Sequence, residues 1–162
     1  MKKIFVSLSL MAIVALTATV YAKDKFDVND RVKESFKKEF SGATSVKWET
    51  VKDLRAASFI FYNHAVVAYF NDEGELLGSA REVLFYRLPF AVIKSFNKML
   101  SDAYVIEVLE IDNADGTFYM VTAETPTKRC HVRINANGNV ISVVKAKARY
   151  SSDSTLADAT SR

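Results

Sequence analysis

Apolar residues recur every fourth position at Val28, Val32, Phe36 and Phe40, and the residues between them are mostly charged. That spacing lines one face of an α-helix, so it predicts a helix from Val28 to Phe40. Asp27 or Asn29 can cap its start, and Gly42 suits its stop. A second helix is expected to open at Leu88-Pro89, because proline is tolerated in a first turn that needs no backbone N–H. Its stripe is Val92 or Ile93, Phe96, Met99 and Leu100. After each helix the apolar period changes from four to two, which predicts strands at Val46–Thr50, Arg55–Tyr62, Ala65–Phe70 and Leu76–Phe85, and again at Tyr104–Ile111, Thr117–Glu124, Arg129–Ile134 and Val140–Lys147. Turn residues separate them at Tyr62-Asn63-His64, Asn71…Gly74, Asn113…Gly116, Thr125-Pro126-Thr127 and Asn135…Gly138. The Asn-x-x-Gly turns suit a type I turn followed by glycine in the left-handed region.

The two helices match each other at a spacing of 60 residues. Val32, Ser35, Phe36, Lys38, Ser41 and Ala43 align with Val92, Ser95, Phe96, Lys98, Ser101 and Ala103, six identities in twelve positions. Phe40 meets Leu100 and Val46 meets Ile106. This self-similarity predicts an internal duplication, with each copy a helix packed on an antiparallel meander. The expected fold class is therefore α+β, built from two tandem similar units.

The chain begins with Lys2 and Lys3, an uncharged run from Ile4 to Leu16, and small and polar residues ending in Val20-Tyr21-Ala22. This is the pattern of a cleavable secretory leader, with the cut expected after Ala22. The apolar run is shorter than the ~20 residues that span a bilayer. No later stretch is apolar enough to span one, so no membrane span is expected after cleavage. The periplasm or the cell exterior follows as the destination. Cys130 is the one cysteine, so an internal disulfide is not expected and packing must supply the stability. The formal charge is +3, and two of those charges leave with the leader. The remaining balance gives no argument for a nucleic-acid partner. The expected organisation is a leader over 1–22, units over 23–87 and 88–147, and a disordered Ser, Thr, Asp and Ala-rich tail over 148–162.

The run from Phe36 to Glu49, Phe-Lys-Lys-Glu-Phe-Ser-Gly-Ala-Thr-Ser-Val-Lys-Trp-Glu, resembles the opening motif of exported PepSY-like proteins, also described as beta-lactamase-inhibitor-like (BLIP-like). The stretch from Phe70 to Leu77 is similar to their apolar-turn-Gly-apolar hairpin, and Leu88-Pro89 matches the start of their second helix. The resemblance covers about residues 26 to 147. It implies tandem units with helices on an antiparallel sheet, export from bacteria of the Bacteroidetes type, and no enzyme activity. Ser41 stands where the family usually has proline, and Val108 stands where a second copy of Trp48 would fall.

Residue types that carry chemistry have plainer explanations here. Cys130 and His131 are neighbours on a predicted strand, so their side chains point to opposite faces and cannot form a dyad. Cys130 falls in phase with Val132 and Ile134 and is expected in the core. With His64 in a turn, two histidines and one cysteine make no metal site. Asp112-Asn113-Ala114-Asp115-Gly116 lacks the oxygen ligands of a calcium loop at its third and fifth positions and is expected to be a hairpin turn. Asp72, Glu73 and Glu75 share a turn with no apolar pocket to separate their pKa values. No phosphate loop or nucleophile elbow is present, and no cofactor is expected. Trp48 is expected as a buried anchor beneath the first helix.

One set remains. Arg129, His131 and Arg133 alternate along one strand face. Lys145 and Lys147 join them if the last hairpin has a three-residue loop with a bulge at Gly138; another register splits the group. The expected function is an exported, non-enzymatic module binding a protein or peptide in the envelope through its open sheet face or loops, with these five residues as candidate contacts. The alternative is an envelope protein that binds an anionic surface or a small ligand.

Overall fold

The computed structural model describes residues 28–147, with α1 at Asp30–Glu39, β1 at Thr44–Val51, β2 at Leu54–Phe61, β3 at His64–Phe70, β4 at Leu76–Glu82, α2 at Phe90–Met99, β5 at Tyr104–Asn113, β6 at Gly116–Glu124, β7 at Lys128–Asn135 and β8 at Val140–Lys147. The expected leader over 1–22 and tail over 148–162 lie outside the described residues. Asn29 caps α1, its side-chain oxygen accepting from the Val32 N–H at 3.0 Å. Pro89 stands before α2. The strand expected to run on to Phe85 stops at Glu82, and Phe85–Arg87 forms a 3₁₀ turn that leads into α2.

All eight strands form one antiparallel sheet in sequence order, with β4 paired to β5 across the long connection through α2. The pairing defines two faces. On one face, a row runs through Phe59, Val66, Arg81, Glu110, Tyr119 and Ile134, from β2 to β7. Both helices pack on this face. Val32 and Phe36 of α1 bury against Ala57, Phe59, Val66, Ala68 and Phe70. Val92 and Phe96 of α2 bury against Val108, Tyr119, Val121, Ala123, Cys130, Val132 and Ile134. Met99, expected in the second stripe, is exposed instead. Phe36 anchors an aromatic group, edge-on to Phe59 at 4.9 Å and to Trp48 at 5.2 Å between ring centroids. Trp48 does pack beneath α1, but it is only half-buried because β1 is the edge of the sheet.

Between the two buried clusters the row turns polar. Arg81 Nε and Glu110 Oε1 lie 2.6 Å apart, facing each other across the β4–β5 seam. Tyr119 stands opposite the same Glu110 across the β5–β6 pairing. Burial first, then the charge of Glu110, hold that phenol above its ordinary pKa. The Asn-x-x-Gly turns form as expected. Gly74 N–H donates to Asn71 C=O and Gly138 N–H to Asn135 C=O, with both glycines at φ +85°. Each turn presses on the first turn of a helix, Gly74 against Arg31 and Gly138 against Ala91. No helix among the described residues is long and apolar enough to cross a membrane.

Candidate functional site

The second face of the sheet carries no helix among the described residues. Its central row is Lys47, Ser58, Val67, Ala80, Ile111, Phe118 and Asn135. An uncovered sheet face ordinarily alternates to polar, solvated residues. Here Tyr69, Ile111, Phe118 and Thr122 are each only 5–7 % exposed. Among the described residues no other element lies over them, and their neighbours on the same face shield them. Tyr69 pairs with Ala56, which in turn pairs with Glu49. Burial, then the charge of Glu49, raise the Tyr69 phenol above its ordinary pKa.

One position on this face has no side chain. Gly78 sits between Tyr69 and Asn113 at the β4–β5 seam, so close to β5 that an added Cβ would lie 2.7 Å from the Asp112 carbonyl oxygen. Around it opens a hollow of about 40 Å³, bordered by Leu54, Tyr69, Ile111, Phe118, Met120 and Arg133. The Arg133 guanidinium carbon stands 3.6 Å from the centroid of the Phe118 ring. This is cation–π geometry. Arg133 Nε is buried without a hydrogen-bond partner among the described residues. The guanidinium is thus held in place by a ring, with no carboxylate of the described residues neutralising it.

The other expected residues fare differently. Arg129 lies on this face beside its cross-strand partner Glu124, with Nε 3.4 Å from the carboxylate. His131 faces Thr122, and Nδ1 and the threonine hydroxyl are 3.1 Å apart. Cys130 is buried on the opposite face, as the alternation of the strand requires. Lys145 and Lys147 do not join the group. Val140 pairs with Ile134, but Ser142 pairs with Arg133, so Ile141 is an extra residue in β8. That bulge puts Val144 beside His131, Lys145 beside Cys130, and Lys147 beside Lys128, which are positions on the helix-bearing face. A bulge at Gly138 alone would have kept the five together; the second irregularity shifts every later residue by one, and a shift of one reverses the face.

A larger concavity, about 260 Å³, opens on the helix-bearing face over the seam, between Phe40, Phe61, His64, Arg81, Glu110 and Asp112. Its charged floor is already partnered, because Glu110 is bound to Arg81 and Asp112 to the Thr117 hydroxyl. That leaves the smaller hollow beside Arg133 as the stronger candidate. Phe118, Tyr69 and Gly78 were not singled out in the sequence. Gly78, a glycine inside a predicted strand, was the available signal, since such a residue marks a close backbone approach or a place where a ligand nears the sheet.

Several solved structures share this architecture. A BLIP-like protein from Bacteroides fragilis superimposes with a TM-score of 0.70 at 20 % identity, covering 75 % of this chain and 89 % of its own. A DUF2874 family protein from Bacteroides uniformis gives 0.69 at 16 % identity, covering 75 % and 92 %. A protein from Bacteroides eggerthii, described provisionally as periplasmic, gives 0.68 at 18 %, covering 74 % and 89 %. No family model matches the chain, and no curated protein matches it. At these identities the likeness establishes the fold, which is the BLIP-like fold of these Bacteroides proteins.

Proposed function

We propose that this chain is an exported, non-enzymatic binding protein that holds a protein or peptide on its helix-free sheet face, with Arg129, His131 and Arg133 among the contacts. One observation carries the reading: the Arg133 guanidinium is fixed over Phe118, beside an apolar hollow, with no carboxylate among the described residues to neutralise it. Such a cation offers its N–H edge to an incoming carboxylate, and the hollow beside it takes a small apolar group. The partner is therefore a polypeptide with an acidic side chain next to a small apolar one. A small-molecule ligand fits less well, because the hollow falls far below the ~300–1,000 Å³ of ordinary ligand pockets. Lys145 and Lys147, on the other face, have no part in this surface.

Export rests on the leader pattern at 1–22, and the likeness to the Bacteroides eggerthii protein described provisionally as periplasmic supports it. The tandem organisation, 23–87 and 88–147, is supported by paired geometry among the described residues, while the tail over 148–162 rests on its composition alone. Val32 and Val92 are fully buried at equivalent helix positions, Phe36 and Phe96 are both buried at another, and the two Asn-x-x-Gly turns press on equivalent helix turns.

The test uses the exported chain as bait in envelope extract, its intact mass beginning at Lys23. A captured partner is then measured against Arg129→Glu and Arg133→Glu. Reversal at Arg133 should weaken binding more than reversal at Arg129, which already has Glu124 beside it. Binding should also weaken with salt, since exposed charges are screened over ~8–10 Å at physiological ionic strength. Unchanged affinity in the double variant, with an unchanged circular dichroism spectrum, would exclude this face.

A further inference from the structure

The two helix segments share an apolar stripe but differ in what they turn outward. The stretch 23–41 holds five acids, Asp24, Asp27, Asp30, Glu34 and Glu39. At the positions 60 residues on stand Leu84, Arg87, Phe90, Lys94 and Met99, and 83–101 holds no acid. Burial does not explain the three apolar replacements. Leu84 is 52 % exposed, Phe90 79 % and Met99 38 %, and Tyr86 beside them is 71 % exposed. The backbone sets which way these side chains stand. In a 3₁₀ turn, side chains three apart eclipse. Phe85 and Leu88 form the inward row, Phe85 meeting the Phe96 ring at 5.2 Å and Leu88 joining the cluster beneath α2. Leu84 and Arg87 form the next row and are exposed. In α2, Val92 and Phe96 take the buried stripe, so Phe90, Lys94 and Lys98, four apart, line the opposite one. Arg87, Lys94 and Lys98 make no ion pair with a carboxylate of the described residues.

We infer that this ridge, from Leu84 along the outer stripe of α2, docks the protein on an anionic lipid bilayer. The two layers of a bilayer surface select it. Anionic headgroups attract lysine and arginine, and the layer just beneath takes aromatic and apolar side chains. The ridge offers both kinds side by side. Phe90 stands one helical turn from Lys94, and Leu84 shares its row with Arg87. The long cationic side chains hold their charge at headgroup level while the neighbouring rings go deeper. The outer face of a helix is convex, and neither hollow described above is lined by any residue of the ridge. A folded partner would need a pocket for each protruding side chain, whereas a fluid bilayer receives them without a matching shape. The outer face of α1 is unsuited to such a surface, because Asp30, Glu34 and Glu39 would meet headgroups of their own sign. α2 lies across the sheet from Arg133, so docking through it leaves the helix-free face open to a peptide.

The test is flotation of the mature chain with vesicles of phosphatidylcholine alone and of an equal mixture with phosphatidylglycerol, at low and at physiological salt. The chain should float with the mixed vesicles and not with phosphatidylcholine alone, and less of it should float as salt rises. Tyr86→Ser with Phe90→Ser, and separately Arg87→Glu with Lys94→Glu, should each weaken binding ~10-fold or more, with circular dichroism unchanged. Lys38→Glu, on α1 at the position matching Lys98, should weaken it far less. Phe90→Trp should shift its emission to the blue on the mixed vesicles as the ring leaves water. A chain that stays in solution beside the mixed vesicles would overturn the inference. So would binding that survives both double substitutions, or that Lys38→Glu weakens as much as they do. Capture of an envelope protein through Tyr86 and Phe90, with no vesicle binding, would assign the ridge to a protein partner instead.

Discussion

Replacing Gly138 by alanine should destabilise the protein far more than the same change at Gly116, although both glycines have positive φ. An L-residue in the left-handed region costs ~1–2 kcal/mol. Gly116, at φ +107°, has nothing within 4 Å of where a Cβ would sit, so that strain is the whole effect. At Gly138 the new methyl would lie 2.6 Å from the Ala91 carbonyl oxygen and 3.0 Å from the Ala91 Cβ. That carbonyl belongs to the first turn of α2 and cannot retreat without disturbing the helix. Forcing an extra methyl into packed structure adds ~1–3 kcal/mol, so Gly138→Ala should cost ~2–5 kcal/mol in all. Gly74, with the Arg31 carbonyl oxygen at 2.9 Å, should fall between the two, and Gly42, also in open space, should behave like Gly116. Urea unfolding followed by far-ultraviolet circular dichroism measures these costs. Trp48 fluorescence, followed in parallel, reports the cluster beneath α1 alone. Equal costs at Gly138 and Gly116 would show that the turn does not bear on α2, and the packing argument would fail.

Phe36→Ala and Phe96→Ala should each cost ~3–5 kcal/mol, the range for emptying a large buried site; a loss below ~1 kcal/mol at both, in the same unfolding experiment, would place them at the surface. Stability should fall as pH rises above ~10, the ordinary tyrosine value. The folded phenols of Tyr69 and Tyr119 titrate higher than the unfolded ones, so their contribution is fully present below that pH and is lost as the pH climbs through the folded values. Tyr69→Phe and Tyr119→Phe should flatten that alkaline limb, and a limb unchanged in the double variant would show that these phenols do not produce it.

Short-range patterns in the sequence reached the helices, the strands and the turns, because each is written within a few residues. Val32 and Phe36 lie on one side of a helix by spacing alone, Asn71 and Gly74 make a turn by their own chemistry, and Cys130 opposes His131 on any strand. The candidate site was legible only along one strand, where Arg129, His131 and Arg133 must share a face. Which residues of other strands join them depends on register, and register is a property of pairs. One extra residue at Ile141 sent Lys145 and Lys147 to the opposite face. The single sheet was likewise decided in three dimensions, when β4 and β5 paired across an intervening helix and brought Arg81 to Glu110. The same seam set Gly78 of β4 near Ile111, Phe118 and Arg133 of β5, β6 and β7. Alternation fixes the direction of a side chain from its own strand, but a hollow needs neighbours from several strands, and only their pairing brings those together.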